Sequence, residues 1–307
     1  MLKPRALKSG DRIAIVAPAS PFDREEFDRG LDELRALGFE PVFDQTVFER
    51  TGYVAGAPAL RANAILTAWK DPTVAALIGV RGGYGSVQVL QHLDRERLRA
   101  HPKALIGYSD VTSLLVFLGT GCQIVAFHGP MLERKLAAGA DGYDRRSFLR
   151  ALTTAEPLGE VTGPHLEALR PGAAAGPLFG GTLTQIVGSL GTPYAFDPPP
   201  GFVLFLDEVG ERPYRLDRMI TQLRLSGIVD RAAAIVFGEC PQCDEPEGIY
   251  TARGAVAAAL EDFGGPILFG LPSGHTVTPA VTLPLGVRAR VDTVPAPRLV
   301  IEEAAVE

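Results

Sequence analysis

Covalent hydrolysis needs a nucleophile, a general base, a carboxylate to orient that base and backbone donors for an oxyanion. The sequence holds a candidate for each part. In KALIGYSDVTSLLVFLGTG an apolar strand passes through Gly-Tyr-Ser-Asp straight into a helix. A strand-turn-helix elbow lifts a Ser hydroxyl off the sheet and aims the following N–H groups at one point. Ser109 is therefore a candidate nucleophile. The elbow lacks the usual second Gly, and Ser before Asp-Val-Thr equally suits a helix cap; this segment alone leaves the two readings level.

Upstream, VRGGYGS opens a second helix after the AALIG strand. Such a loop either cradles phosphate at a helix N-terminus or brings bare backbone up to a reacting carbonyl at Gly82 or Gly83. It carries neither the Walker Lys nor a dinucleotide fingerprint. Of the five histidines, His92, His101 and His165 lie in polar or loop surroundings. His128, in AFHGPML, and His275, in LPSGHTVTP, are the accessible candidates for a base, which also needs a carboxylate on its other nitrogen. FVLFLDEVGERPYRLDR supplies that carboxylate at a strand end. Adjacent strand residues face opposite ways, so only one of Asp207 and Glu208 is expected to address the histidine. The same acids with Arg215 and Arg218 would also suit an ion-paired helix start.

The elements that position these residues follow from patterning. IAIVAPAS, the amphipathic EEFDRGLDELRALG, a PVF segment, AALIGV and GSVQVLQHLDRERLRA alternate as β and α, the pattern of a parallel sheet with crossover helices. Phe27, Leu31, Leu34 and Leu37 recur at helical spacing and Gly38 follows them. Between Gly159 and Gly176 the periodicity fades amid Pro164, Pro171 and Gly172, as in a connector. The expected division is residues 1–158 as an α/β domain, 159–176 as a linker, and 177–307 as a β-rich domain. In the last, FVLFLDEV, AAAIVFG, PILFG, VTLPLGVRARVD and PRLVIEE read as strands, and RLDRMITQLRLSG and ARGAVAAALEDFG as helices.

A formal net charge of -6 with no basic block offers no footprint for nucleic acid or an anionic membrane. A small neutral or zwitterionic substrate fits better. The apolar run Ile13–Ala17 is shorter than a signal-peptide core and reads as a first strand. No stretch approaches the roughly 18 to 20 apolar residues of a membrane span, so the expected location is cytoplasmic. Three cysteines make no disulfide framework. Cys122 reads as core. Cys240 and Cys243 form CPQC, which lacks the further ligands of a zinc site and reads as a loop. No metal or cofactor is expected.

Taken in order, VRGGYGS, IGYSDVT, FHGPML, FGGTLTQIVGSLGTPY, FLDEVGERPYRLDR and GLPSGHTVTPAVTLPLG resemble the motifs of the LD-carboxypeptidase family of serine peptidases, which includes muramoyltetrapeptide carboxypeptidases. The resemblance runs from about Ser9 to Val291. It implies an N-terminal Rossmann- or flavodoxin-like domain, a C-terminal β-rich swivelling domain and a Ser-acid-His triad between them. The family's nucleophile falls on Ser109, its histidine on His275, and its oxyanion donors on the backbone of Asp110 and the glycine loop, Gly83 before Gly82. The acid departs from the pattern. Family members commonly read Leu-Glu-Asp where this chain has Leu206-Asp207-Glu208, so alignment places the shorter Asp207 in the triad, with Glu208 as the alternative. Thr182 stands where Asn is frequent.

By that resemblance the reaction is hydrolysis of the amide before a C-terminal D-amino acid, D-Ala of a peptidoglycan-derived tetrapeptide, during murein recycling. Two rivals remain. One is a microcin-immunity-type hydrolase of aminoacyl-nucleotide amides, against which stands the lone tryptophan, Trp69, far in sequence from the triad motifs. The other is a catalytically silent binding module, for which the inverted acid pair speaks. A homodimer is the expected assembly.

Overall fold

The run VAALIG at Val74–Gly79 has no polar residue to turn toward water and is buried along its whole length. A run of that kind is stable only as an inner strand covered on both faces. In the computed structural model, which describes all 307 residues, it is the third strand of a six-stranded sheet. The strands in chain order are β1 (Arg12–Val16), β2 (Glu40–Val42), β3 (Val74–Gly79), β4 (Ala104–Gly107) and β5 (Ala126–His128). They continue with β6 (Pro157–Val161), β7 (Glu167–Arg170), β8 (Ala173–Thr182), β9 (Phe202–Asp207) and β10 (Ala232–Gly238). The last four are β11 (Ile267–Leu271), β12 (Leu283–Leu285), β13 (Arg288–Asp292) and β14 (Arg298–Ala304).

The first sheet has the order β12-β5-β4-β3-β1-β2, and its first five strands in chain order pair in parallel. Without β12 this is the flavodoxin-like order 2-1-3-4-5, in which ligands gather beyond the carboxyl ends of the strands. Helix Arg24–Ala36 begins with Asp23, whose side chain accepts from the Glu26 N–H, and buries Phe27, Leu31 and Leu34. That is the face expected from their spacing.

The second sheet has the order β6-β14-β13-β8-β9-β10-β11-β7. Its centre, β8 to β11, is parallel, and its flanks are antiparallel. The β-rich second domain is thus a mixed sheet, with helices Pro213–Leu225 and Ala252–Ala259 where helical patterning appeared. Alternation along β9 is complete. Phe202, Leu204 and Leu206 enter the core beneath those helices, while Val203 and Phe205 join the large core shared with the first sheet.

Two expectations about chain organisation change. Residues 159–176, read as a linker, fold into much of β6, all of β7 and the start of β8. β6 and β7 are the two edges of the second sheet, half exposed, so neither shows a clean apolar alternation. The segment VTLPLGVRARVD divides between sheets: β12 pairs antiparallel with β5 of the first sheet, while β13 returns to the second. The first sheet is therefore completed by a strand from the last tenth of the chain.

Candidate active site

Ser109 follows β4 at the carboxyl edge of the first sheet with φ 61°. A non-Gly residue in that region carries strain of order 1 to 3 kcal/mol, held here by packing from the glycine loop. A Cβ on Gly82 would lie 2.8 Å from Ser109 Cβ, 2.9 Å from its Oγ and 3.2 Å from the Asp110 N. Only glycine allows that approach. The capping reading of Ser109 does not hold, because Tyr108 occupies the cap position and no side chain caps the turn. The Gly83 N–H, at φ 97°, meets no backbone acceptor within the fold.

The glycine loop is itself held from two sides. Ser20 N donates to Gly82 O at 3.2 Å, and Ser20 Oγ accepts from Tyr84 N at 3.1 Å. Buried Arg61 donates to Gly56 O at 3.0 Å and Gly85 O at 2.8 Å, and also to Pro18 O. Asp110 turns its side chain inward, where Oδ2 accepts from Ser86 N at 2.8 Å. Burial raises the pKa of Asp110 and lowers that of Arg61. Sequence reading missed Ser20 and Arg61, most of whose partners lie tens of residues away.

Asp207 is the last residue of β9, fully buried on the Val203 and Phe205 face. Its Oδ2 accepts from His275 Nδ1 at 2.7 Å and from the His275 backbone N at 2.8 Å. Its Oδ1 accepts from Thr182 Oγ1 at 2.8 Å. Burial works to raise the Asp207 pKa, but the charges and hydrogen bonds of His275 and His128 outweigh it and hold the carboxyl far below its usual range. Glu208 faces the other way, accepting from Thr184 N at 2.9 Å, Thr184 Oγ1 at 2.6 Å and Val209 N at 3.1 Å. It serves the first turn of helix Leu183–Ser189. Burial and the neighbouring Asp207 push its pKa up.

His275 meets the Ser109 turn from the second sheet's side. Its ring packs edge-on against Tyr108 with centroids 5.0 Å apart, and its side chain is 13% exposed. Glu239 holds the following loop, accepting from Val277 N at 2.8 Å and Thr278 Oγ1 at 2.7 Å. Lys135 Nζ donates to Thr276 O at 3.1 Å. The end of β8 also reaches the elbow: Thr182 N donates to Thr112 Oγ1 at 3.1 Å. The remaining histidines except His128 are exposed. Cys240 and Cys243 are buried free thiols whose pKa values burial pushes up, that of Cys243 to about 11. No group of three or more His, Cys, Asp or Glu side chains is arranged to hold a metal ion.

Residues 13–129 match the LD-carboxypeptidase N-terminal domain, and residues 175–291 match the C-terminal domain of the same family. The chain belongs to the LD-carboxypeptidase family. It is accordingly a serine-type hydrolase. A Streptomyces coelicolor relative, provisionally named a carboxypeptidase, is 37% identical over 299 residues, covering 95% of this chain and 94% of its own. The murein tetrapeptide carboxypeptidase of Pseudomonas aeruginosa is 33% identical, covering 86% of this chain and 88% of its own. Among solved structures, the muramoyltetrapeptide carboxypeptidase of Oxalobacter formigenes superposes with a TM-score of 0.83 at 28% identity, covering 95% of this chain and 99% of that one. MccF in complex with glutamyl sulfamoyl guanosine superposes at 0.91 over 100% of both chains, at 22% identity. That last likeness is one of fold.

Proposed function

We propose that the protein is an LD-carboxypeptidase that releases a C-terminal D-amino acid, D-Ala, from peptidoglycan-derived tetrapeptides in murein recycling. Ser109 Oγ attacks the carbonyl carbon while His275 Nε2 takes its proton, and Asp207 holds the imidazole through Nδ1. The N–H groups of Gly83 and Asp110 receive the oxyanion. His275 then returns the proton to the departing amine, and water opens the acyl-enzyme ester with His275 again as base. The observation that carries this reading is the double grip of Asp207 Oδ2 on His275, through both Nδ1 and the backbone N, beside a Ser held at positive φ.

The test is D-Ala release from a panel of muropeptides. Release from the L,D-tetrapeptide, lost in Ser109→Ala, supports the reading; labelling of Ser109 by a fluorophosphonate without D-Ala release from any member overturns the substrate. A second reading, hydrolysis of aminoacyl-nucleotide amides, has the whole-length fold likeness to MccF in its favour. Against it, the one tryptophan, Trp69, is buried and donates to Leu98 O at 3.1 Å, leaving no indole to stack on a base. Turnover of an aminoacyl sulfamoyl nucleoside in place of the tetrapeptide would favour that second reading.

A further inference from the structure

His128 is a wholly buried imidazole that the mechanism above does not use. It ends β5, where its register partner on β4 is Gly107, two residues before Ser109, and its partner on β12 is Leu283. Its ring packs edge-on against Phe205 of β9 with centroids 5.0 Å apart. A Cβ on Gly274 would lie 2.6 Å from its Cε1. The strand that leads to Ser109, the acid Asp207 and the loop that carries His275 thus all border this one ring.

The hydrogen-bond partners of the ring constrain where its protons sit. Ser273 Oγ lies 2.8 Å from Val281 O, a carbonyl that only accepts, so the single hydroxyl proton of Ser273 is committed there. Ser273 Oγ, 3.2 Å from His128 Nδ1, is left to accept, and Nδ1 must carry a proton. Nε2 is buried without a hydrogen-bond partner, and it lies 3.6 Å from Asp207 Oδ1. An unprotonated Nε2 would aim a lone pair at a buried carboxylate; a protonated one aims a donor.

We propose that His128 is a positioning residue of this hydrolase, protonated on both ring nitrogens and holding Asp207 through Nε2–H from the side away from His275. The inference rests on the Ser109, His275 and Asp207 reading, not on the identity of the substrate. Its electrostatic consequence has a definite sign. A positive ring beside Asp207 disfavours a second positive charge on the other side of the same carboxylate. The other charged or titratable groups around the pair are Tyr108, Glu208, Glu239, Lys135 and the Cys240 thiol.

Two substitutions separate the ring's halves, since Gln places an amide donor near the Nε2 position and Asn near the Nδ1 position. With fluorophosphonate labelling of Ser109 as the readout, His128→Gln is expected to stay within about 10-fold of the parent, and His128→Asn to fall by about 10- to 100-fold. In His128→Gln the acid limb of the labelling rate moves to higher pH, a shift that a merely structural role would not give. Equal rates for the two variants, or an unmoved acid limb, would overturn the proposal. Nitrogen NMR of the unmodified protein tests it without any variant: both His128 nitrogens should resonate as protonated at neutral pH, and a bare Nε2 refutes the assignment. If the parent labels but releases no D-Ala, the substrate reading fails while this one stands.

Discussion

Asp207 and Glu208 are neighbours in the chain with opposite tasks, and the difference comes from one strand step. Asp207 shares the face of Val203 and Phe205 and reaches His275; Glu208 faces the helices and bonds Thr184. Asp207→Asn should therefore cost roughly 10³ to 10⁴ in kcat with the fold intact. Glu208→Gln should leave kcat within about tenfold and lower stability by about 1 kcal/mol, as loss of a helix-capping acceptor does. Steady-state kinetics paired with urea unfolding distinguishes them, and a crippled Glu208→Gln beside a mild Asp207→Asn would reverse the assignment. The low pKa of Asp207 adds a pH signature. A carboxyl whose folded pKa lies below its unfolded value contributes stability that is present above about pH 4 and lost as the pH falls. Urea midpoints should therefore drop more between pH 5 and pH 3 in the parent than in Asp207→Asn; equal drops would contradict the charged, doubly held carboxylate.

Among elements, the glycine loop after β3 and the elbow after β4 work as one unit. Gly82 is not needed there for an unusual φ; it is needed for space, because its missing Cβ leaves room for Ser109 Cβ and Oγ. Gly82→Ala should displace Ser109, the proposed nucleophile, or the neighbouring N–H by up to about 1 Å. A displacement of that size costs about 10²-fold in rate. Circular dichroism should remain that of the parent while fluorophosphonate labelling slows. A fully active Gly82→Ala would mean that the elbow is looser than its packing indicates.

For the molecule as a whole, the two sheets are not independent. Core residues of β9 and β10 belong to the same apolar cluster as those of β1, β3 and β4, and β12 closes the edge of the first sheet next to β5. A fragment ending at residue 158 would lack that strand and expose the shared apolar face. It should be aggregation-prone or unfolded, whereas the full chain should melt in one calorimetric transition with matching van 't Hoff and calorimetric enthalpies. Two separated transitions would show that the sheets fold independently.

What was legible in the sequence is what near neighbours encode. The buried runs became strands, Phe27, Leu31 and Leu34 became a helix face, and two-residue alternation already separated Asp207 from Glu208. The ordered motifs carried the family. Tertiary structure decided whatever depends on residues far apart in the chain. Ser109 could not be told from a cap until Gly82 was seen against it. The edge strands within 159–176 looked like a linker because half-exposed strands need no apolar rhythm and draw their stability from partners such as β14 and β11. Ser20 and Arg61 gave no local signal, and the strand-end His128, read as an accessible candidate for the base, is wholly buried; each acts through atoms brought to it by register and sheet packing, and no spacing rule spans the 145 positions between His128 and Ser273.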